Sequence, residues 1–466
     1  MNPFLNPIFS ARVIINYITG VNRAWRLSTD KIKEYQSKAL RRTLNYAYKV
    51  PVYNKIYKKA GFHPDDISEI DDLHKIPLMT KEELIRGFPN DIIPYNYNKN
   101  KAYVVGTSGS SGRPVSIYKD MDYIMTESIS ATRVLKPINM SWRKTKITNI
   151  GDFSVPTTTD EEIVKKALMG NLSNFFSFKN YQNLYTGEKI RSLLKKIERF
   201  EPELLIGYTS VLLGLANLKL KGLGKKANPK YILSSGEVLD SYSRKYIEEG
   251  FNARVLNLYA TTEGGTIAFE CLKGNFHINS DFVHIETLDK NGEPVDENKF
   301  GSVVVTRLYT GGTPIIRYTG QDDIAVLDTD YCDCGMNTPI LKSLEGRKKD
   351  AIILPDGRVF PPATIPMPIS DASSKFKTYL LKRFQFVQKN IDNIEIRIEI
   401  DDEQRNKGVT VDKFLNEIED NYKKLLGDKV KIEIKEVKKV EKPEGAESAP
   451  LIISKLDSKH IEKALL

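Results

Sequence analysis

Cysteine is scarce in this chain, three residues in 466. That excludes a disulfide-stapled scaffold and points to a reducing compartment, here expected to be the cytoplasm. No run of 18 apolar residues occurs, which excludes a hydrophobic membrane-spanning helix. The opening stretch "MNPFLNPIFSARVIINYITG" has no cationic segment ahead of its apolar residues, so it does not read as a cleaved signal peptide. Residues 12–21 read as an amphipathic helix packed on the body, with a membrane surface as the alternative. Charge of one sign is also weak: 70 Lys and Arg against 60 Asp and Glu leave a net +10, spread along the chain. No basic arm gathers it, so nucleic acid is not expected as a partner, and an anionic small substrate such as a nucleotide suits the charge equally well. Internal repeats and low-complexity tracts are absent.

The length implies two or three domains. Residues 1–100 read as mostly helical: apolar residues recur at helical spacing over 30–60, Pro51 interrupts them, Gly61 ends them, and Thr80 with Glu83 forms a capping box. From 101 to 345 strands and helices alternate. "KAYVV" and "VSIY" flank a glycine-rich loop, "GEKIRSLLKKIERF" is an amphipathic helix, and "PELLIGY", "KYILSS", "ARVLNLY" and "GSVVVTRLY" are short apolar strands. Beyond 345 "IEIRIEI" and "VKIEIKEV" alternate as half-exposed strands do, with a helix at "VDKFLNEIEDNYKKLLG" between them. The expected fold class is therefore α/β, with a large body over 1–345 and a small α+β unit over 346–466.

The glycine-rich loop is "TSGSSGRP". Thr107, Ser108, Ser110 and Ser111 supply donors, while Gly109 and Gly112 let the backbone approach a ligand closely, as phosphate binding requires. A Walker loop is excluded, because Arg113 and a proline follow the last glycine and a strand follows them where a helix should begin. Taken alone, a flexible Ser/Gly hairpin explains the loop as well.

Four more stretches follow in order: "SSGEVL" (234–239), "LYATTEGG" (258–265), "IIRYTGQDD" (315–323) and "LEGRKKD" (344–350). With the glycine loop, with "VPVYNKIYKKAGFHPDDISEIDDLHKIPLMTKEEL" and with "PELLIGYTSVLLGLA", they resemble the adenylate-forming enzymes, the superfamily of acyl-CoA synthetases and adenylation domains. The likeness runs from about residue 30 to 440, and within the superfamily it is to the phenylacetate-CoA ligase group and its capsule-biosynthesis, CapK-like relatives.

That resemblance implies a multi-subdomain body with a mobile C-terminal lid, and a role for each matching residue. Thr107 to Arg113 would wrap the β- and γ-phosphates of ATP. Gly236 and Glu237 would line the adenine pocket, with Tyr259 stacked on the base. Thr262 would touch the α-phosphate and Glu263 would hold Mg²⁺. Asp322 would bind the ribose hydroxyls, Arg347 would reach ribose or phosphate, and Lys349 would lie at the hinge of the lid. The implied reaction is ATP-dependent activation of a carboxylic acid, aryl by family expectation, and its transfer to a thiol, most simply CoA. Trp142, Phe153, Tyr208 and Tyr259 are candidates for the acid's pocket. A homodimer is left open.

One departure stands out. The family's C-terminal lysine, in a Ser-Gly-Lys setting, has no counterpart in "EGAESAPLIISK": Ser448 or a neighbour takes its place, with Lys442 before it and Lys455 after it. Either a shifted lysine serves, or adenylation is slow or lost. Two rival readings follow: adenylyl transfer to a hydroxyl acceptor, and a nucleotide-binding scaffold without ligase activity.

The three cysteines share a second pattern. Cys271 and His277 form a Cys-x5-His pair, and Cys332 and Cys334 a Cys-x-Cys pair. The four suit one tetrahedral Cys₃His site, for which zinc is the favoured metal. Similar patterns in the phenylacetate-ligase relatives imply a structural zinc joining two loops. Buried free thiols with a surface His277 are the alternative. The other histidines (His63, His74, His284 and His460) are scattered and read as ordinary.

Overall fold

The computed structural model describes residues 6–106, 115–151, 179–289, 291–296, 298–328, 332–347, 350–356, 358–360, 362–441 and 450–456. The lead-in is helical: α1 (Pro7–Gly20), α2 (Arg23–Arg26), α3 (Thr29–Ala47), α4 (Pro51–Ala60) and α5 (Lys81–Gly87). Local chemistry sets these boundaries. Asn6 accepts from the first amides of α1, and Pro51, which has no N–H to leave unpaired, opens α4. Gly61 closes α4 at φ +67°, and Thr80 with Glu83 forms the expected capping box on α5. The hairpin β1 (Ala102–Gly106) and β2 (Ser116–Asp120) follows, then α6 (Met121–Thr132), capped by Asp120. Leu40, Leu44, Tyr53 and Tyr57 from the helices bury against Ile117 of the hairpin and against Ile315, Ile316 and Tyr318.

The body is built on one sheet of eleven strands among the described residues. Its first half is parallel and carries helices between strands: β3 (Ile147–Gly151), β4 (Tyr181–Tyr185), α7 (Ile190–Phe200), β5 (Leu204–Gly207), α8 (Thr209–Leu220), β6 (Tyr231–Ser235), α9 (Ser241–Phe251) and β7 (Arg254–Thr261). Parallel strands covered by helices need apolar residues on both faces, which explains the short continuous apolar runs. The second half is antiparallel: β8 (Gly265–Glu270), β9 (Phe276–Ile278), β10 (Val283–Leu288), β11 (Gly301–Arg307), β12 (Asp323–Asp328) and β13 (Ile340–Arg347). Across the sheet the strands run β10-β11-β12-β13-β9-β8-β7-β6-β5-β3-β4.

After β13 come the small hairpin β14 (Ile352–Ile353) and β15 (Val359–Phe360), then α10 (Met367–Phe376), β16 (Leu381–Asn390), β17 (Asn393–Ile400), α11 (Val411–Leu426), β18 (Lys431–Glu436) and β19 (Ile452–Ser454). Four of these strands form a sheet in the order β18-β17-β16-β19. This unit sits docked on the body: Ile365, Ile369, Leu380 and Leu381 share one buried cluster with Leu212, Leu215 and Ile247 of α8 and α9. Tyr242 Oη donates to the Leu381 carbonyl at 2.9 Å, and Asp401 takes Asn217 at 3.1 Å and Lys221 at 3.2 Å. The half-exposed reading of β17 needs correction. Glu395 and Glu399, on its outward face, are buried under long cations. Burial alone would raise the Glu395 carboxyl, but hydrogen bonds from Lys389, Arg397 and Lys435 hold it at about 2.

Candidate active site and metal cluster

Parallel strands deliver their carboxyl ends to one edge of the sheet, where an α/β fold leaves a crevice. The register pairs Gly207 with Ser234 and Ser235 with Leu258, so the ends of β5, β6 and β7 lie side by side. Tyr208, Gly236, Glu237 and Thr262 follow directly from those ends. Gly236 adopts φ +79°, and a side chain there would run into the Tyr208 ring, so glycine is required on both counts. The Glu237 carboxylate accepts from the Ser210 amide at 2.7 Å and from Ser210 Oγ at 3.0 Å, fixing the start of α8 beneath the crevice.

The turn from β7 into β8 is tight: Thr261 pairs with Gly265, and the Gly264 amide donates to Thr261 Oγ1 at 2.9 Å. Gly265, at φ +70°, would carry a side chain against Tyr309 and Glu127. Glu263 sits inside this turn, 6% exposed, and accepts from Tyr318 Oη at 3.2 Å. Burial pushes its carboxyl above the usual range, against the pull of its own amide, the Tyr318 hydroxyl and the charges of Lys81 and Arg307. Lys81, at the first turn of α5, reaches this site through the pairing of Met79 with Tyr318. Sequence reading missed it, because only the tertiary bridge brings the two segments together.

Tyr259 also needs correction. Its ring, 6% exposed, lies in the core with Ile267, Phe276 and Leu341 and is not presented as a stacking face. Its hydroxyl donates to Asp323 Oδ2 at 2.6 Å. Asp323 opens β12 directly opposite Arg347 in β13, and Asp322 precedes it at φ +60°. The half-buried Tyr208 is the ring that stands at the crevice. Trp142 is not brought to it. It precedes β3 and packs with Leu204 and Tyr231, at the opposite, amino ends of the parallel strands, and donates to Tyr17 Oη at 3.0 Å. The loop residues Thr107, Ser108, Gly109, Ser110, Ser111, Gly112 and Arg113 lie outside the described residues, as do Phe153, Lys349, Lys442 and Ser448. The loop's stems are fixed: Gly106 pairs with Ser116, and Tyr118 exchanges hydrogen bonds with Thr313. Lys455 is exposed just past β19.

At the far end of β8 the four sulfur and nitrogen ligands converge. The candidate ligand atoms of Cys271, His277, Cys332 and Cys334 all lie within 4.8 Å of one another. Cys271 Sγ and Cys332 Sγ stand 3.8 Å apart, and a tetrahedron with zinc–sulfur bonds of about 2.3 Å has an edge of roughly 3.8 Å. His277 Nε2 lies 3.2 Å from Cys334 Sγ, while its Nδ1 is 3.3 Å from Thr338 Oγ1, which orients the ring. Burial lowers the imidazole to about 4, leaving it in the neutral form that binds metal. Burial and the neighbouring thiols push Cys334 up to about 12. A divalent cation would reverse that penalty, so the donor set fits the metal.

No protein-family model matches the chain. Among curated proteins it is 24% identical over 369 residues to Protein CapK of Staphylococcus aureus, covering 79% of this chain and 78% of that protein. It is 25% identical over 346 residues to phenylacetate-coenzyme A ligase of Escherichia coli (strain K12), covering 72% and 75%. Among solved structures, 2-hydroxyisobutyryl-CoA ligase in the postadenylation state, in complex with R3-HIB-AMP, superposes with a TM-score of 0.76 at 18% identity, over 95% of this chain and 94% of that one. The same ligase in the thioesterification state, with 2-HIB-AMP and CoA, gives 0.60 at 18% identity over 93% and 91%. The chain is thus similar in sequence to CapK and to the phenylacetate-CoA ligases, and it shares the fold of 2-hydroxyisobutyryl-CoA ligase.

Proposed function

We propose that the chain joins a carboxylic acid to AMP and passes the acyl group to the thiol of CoA. The observation that carries this reading is the convergence of the carboxyl ends of β5, β6 and β7, with the buried Glu263 in the turn that follows β7. In the first step a carboxylate oxygen attacks the α-phosphorus of ATP. The bond from that phosphorus to the bridging oxygen breaks, and pyrophosphate leaves. In the second step the thiol sulfur attacks the acyl carbon, the bond to AMP breaks, and the thiol proton is lost to solvent.

No side chain is needed as a nucleophile, so catalysis rests on alignment and on stabilising the charge that builds at the α-phosphate. Glu263 would hold Mg²⁺, which when bound neutralises phosphate charge. Thr262 and the 107–113 loop donate to the phosphates, with Arg113 as the loop's cation. Asp322 takes the ribose hydroxyls. Tyr259 holds Asp323 beside it, and Tyr208 replaces Tyr259 as the ring against the base. Arg347 and Lys349 follow at the end of β13, where the unit from 346 would rotate between the two steps. The better match to the postadenylation state than to the thioesterification state supports a docked, first-step arrangement in the present structure. The acid is an aryl or similar carboxylate, on the likeness to the phenylacetate ligases. Zinc at the Cys₃His set ties the loops beyond β8 and before β13 together, which suits the reducing cytoplasm.

Incubation with ATP, Mg²⁺, CoA and a panel of acids, read by mass spectrometry, tests this. Stoichiometric AMP and an acyl-CoA thioester from at least one acid are expected. Formation of ADP, or an adenylylated acid-free hydroxyl compound, would contradict it.

A further inference from the structure

Helix α1 carries large apolar residues on two sides, yet only one of them is covered. Phe9, Val13, Tyr17 and Gly20 form the inner face, and Phe9 and Val13 pack against Met121 and Ile124 of α6. At 100° per residue, Ile8, Ile14, Ile15 and Ile18 fall on the opposite side. They are 76%, 56%, 59% and 58% exposed, the densest group of exposed large apolar side chains among the described residues. A helix of this composition in water normally has its second face buried.

Unpaired charge around that face is mostly positive. No acidic residue occurs from the start of α1 to Ser28. Exposed Arg26 and Lys136 lie just past the helix's C-terminal end, and exposed Arg143 and Lys144 follow Trp142, which bonds Tyr17 of the helix. Lys136 bonds Asn22, just past α1, and lies 4.0 Å from the Trp25 ring, while Arg143 lies 5.1 Å from the Trp142 ring. Trp142 in turn bonds Tyr17, one helical turn from Ile14. Trp142 and Tyr17 thus stand beside the isoleucine stripe, next to exposed cations. Two acids lie by the helix, and both are paired: Asp122 of α6 with Arg12 at 2.5 Å, and the buried Asp281 with Arg23 at 2.7 Å and with Arg133. An apolar stripe, an amphipathic aromatic border and a cationic rim are the three parts of a helix that lies in a bilayer interface. The stripe offers roughly 450 Å², about half of what each partner of a standard protein–protein interface covers, which disfavours a stable dimer through this face.

We infer that α1 docks the protein reversibly on an anionic lipid surface, its isoleucines entering the acyl boundary and the Arg26, Lys136, Arg143 and Lys144 rim meeting the headgroups. The inference is independent of the reaction proposed above.

Co-sedimentation of the full chain with vesicles tests it, comparing pure phosphatidylcholine with a mixture containing 30% phosphatidylglycerol. Binding to the anionic vesicles is expected, with a blue shift of tryptophan emission and at least a tenfold loss of partitioning between low and high salt. The pair Ile15→Asp/Ile18→Asp should lower partitioning at least tenfold. Arg143→Glu/Lys144→Glu should lower it on anionic vesicles only. Thermal unfolding should stay at the parent temperature for both pairs, since these side chains are already in water. Absence of binding to anionic vesicles, or binding that both pairs leave intact, overturns the inference. A dimer in lipid-free solution that Ile15→Asp/Ile18→Asp dissociates would overturn it equally, in favour of a second copy as the occupant.

Discussion

Strand β8 has a different kind of site at each end. Before its start, Glu263 waits in a turn built of glycines. After its end, Cys271 meets a histidine and two further cysteines. Around a metal the Cys₃His cluster would be closed, its four protein ligands filling a tetrahedron and leaving no position for a substrate. The strand-end site instead holds one buried carboxylate, which the charges of Lys81 and Arg307 act on. A closed set gains stability from its ion, whereas an open one sacrifices stability to be ready for its ligand. Substitutions at the two ends should therefore move activity and stability in opposite ways.

The largest effect should come from Glu263→Gln. Acyl adenylate formation should fall by about 10²-fold or more, the scale of losing a group that stabilises developing charge. Melting temperature should hold or rise slightly, checked by calorimetry. The sign follows from the raised folded-state pKa of Glu263. The folded protein binds that proton more readily than the unfolded chain, so stability from this group falls as pH rises from the unfolded value through the folded one. Above the unfolded-state value Glu263 is therefore a net cost to the fold, which glutamine removes.

Cys271→Ser should do the reverse. Metal content should drop from one ion per chain, read by plasma mass spectrometry, and the protein should unfold roughly 5 °C or more below the parent. Adenylation by the fraction still folded should survive. If Cys271→Ser abolished adenylation while leaving the melting temperature intact, the cluster would not be the closed, structural partner in this comparison.

Two smaller effects sharpen the contrast within the crevice. Tyr259→Phe removes the 2.6 Å hydrogen bond to Asp323 and keeps the ring in its core position. KM for ATP should rise about tenfold, the worth of a hydrogen bond to a charged group, with little change in melting temperature. Lowering the pH should weaken Mg²⁺-dependent activity through a pKa above the ordinary glutamate range, because protonated Glu263 cannot hold the ion. Titrating Mg²⁺ at several pH values should show its apparent affinity falling before the fold is lost.

Much of this was legible in the sequence, for physical reasons. Helix boundaries such as Pro51, Gly61 and the Thr80–Glu83 box follow from local hydrogen bonding, and the parallel strands from short apolar runs. The cysteine spacing anticipated the Cys₃His cluster because few residue types serve as soft ligands. What was not legible depends on burial. Tyr259 looked like a stacking ring until the antiparallel half of the sheet closed over it. Trp142 looked near Tyr208 until the strand directions put them at opposite ends. The outward glutamates of β17 looked solvent-facing until the lysines of β16 and β18 and their own neighbour Arg397 covered them. Lys81 has no sequence signal at all, since its link to Glu263 is a tertiary bridge.

The central claim is that the crevice beside Glu263 drives attack of a carboxylate on the α-phosphate of ATP. Exchange of labelled pyrophosphate into ATP measures that step alone, without CoA and without rotation of the C-terminal unit. The account predicts exchange that requires both Mg²⁺ and a carboxylic acid and disappears in Glu263→Gln. Folded protein that binds ATP yet catalyses no exchange with any aryl or alkyl acid would contradict it.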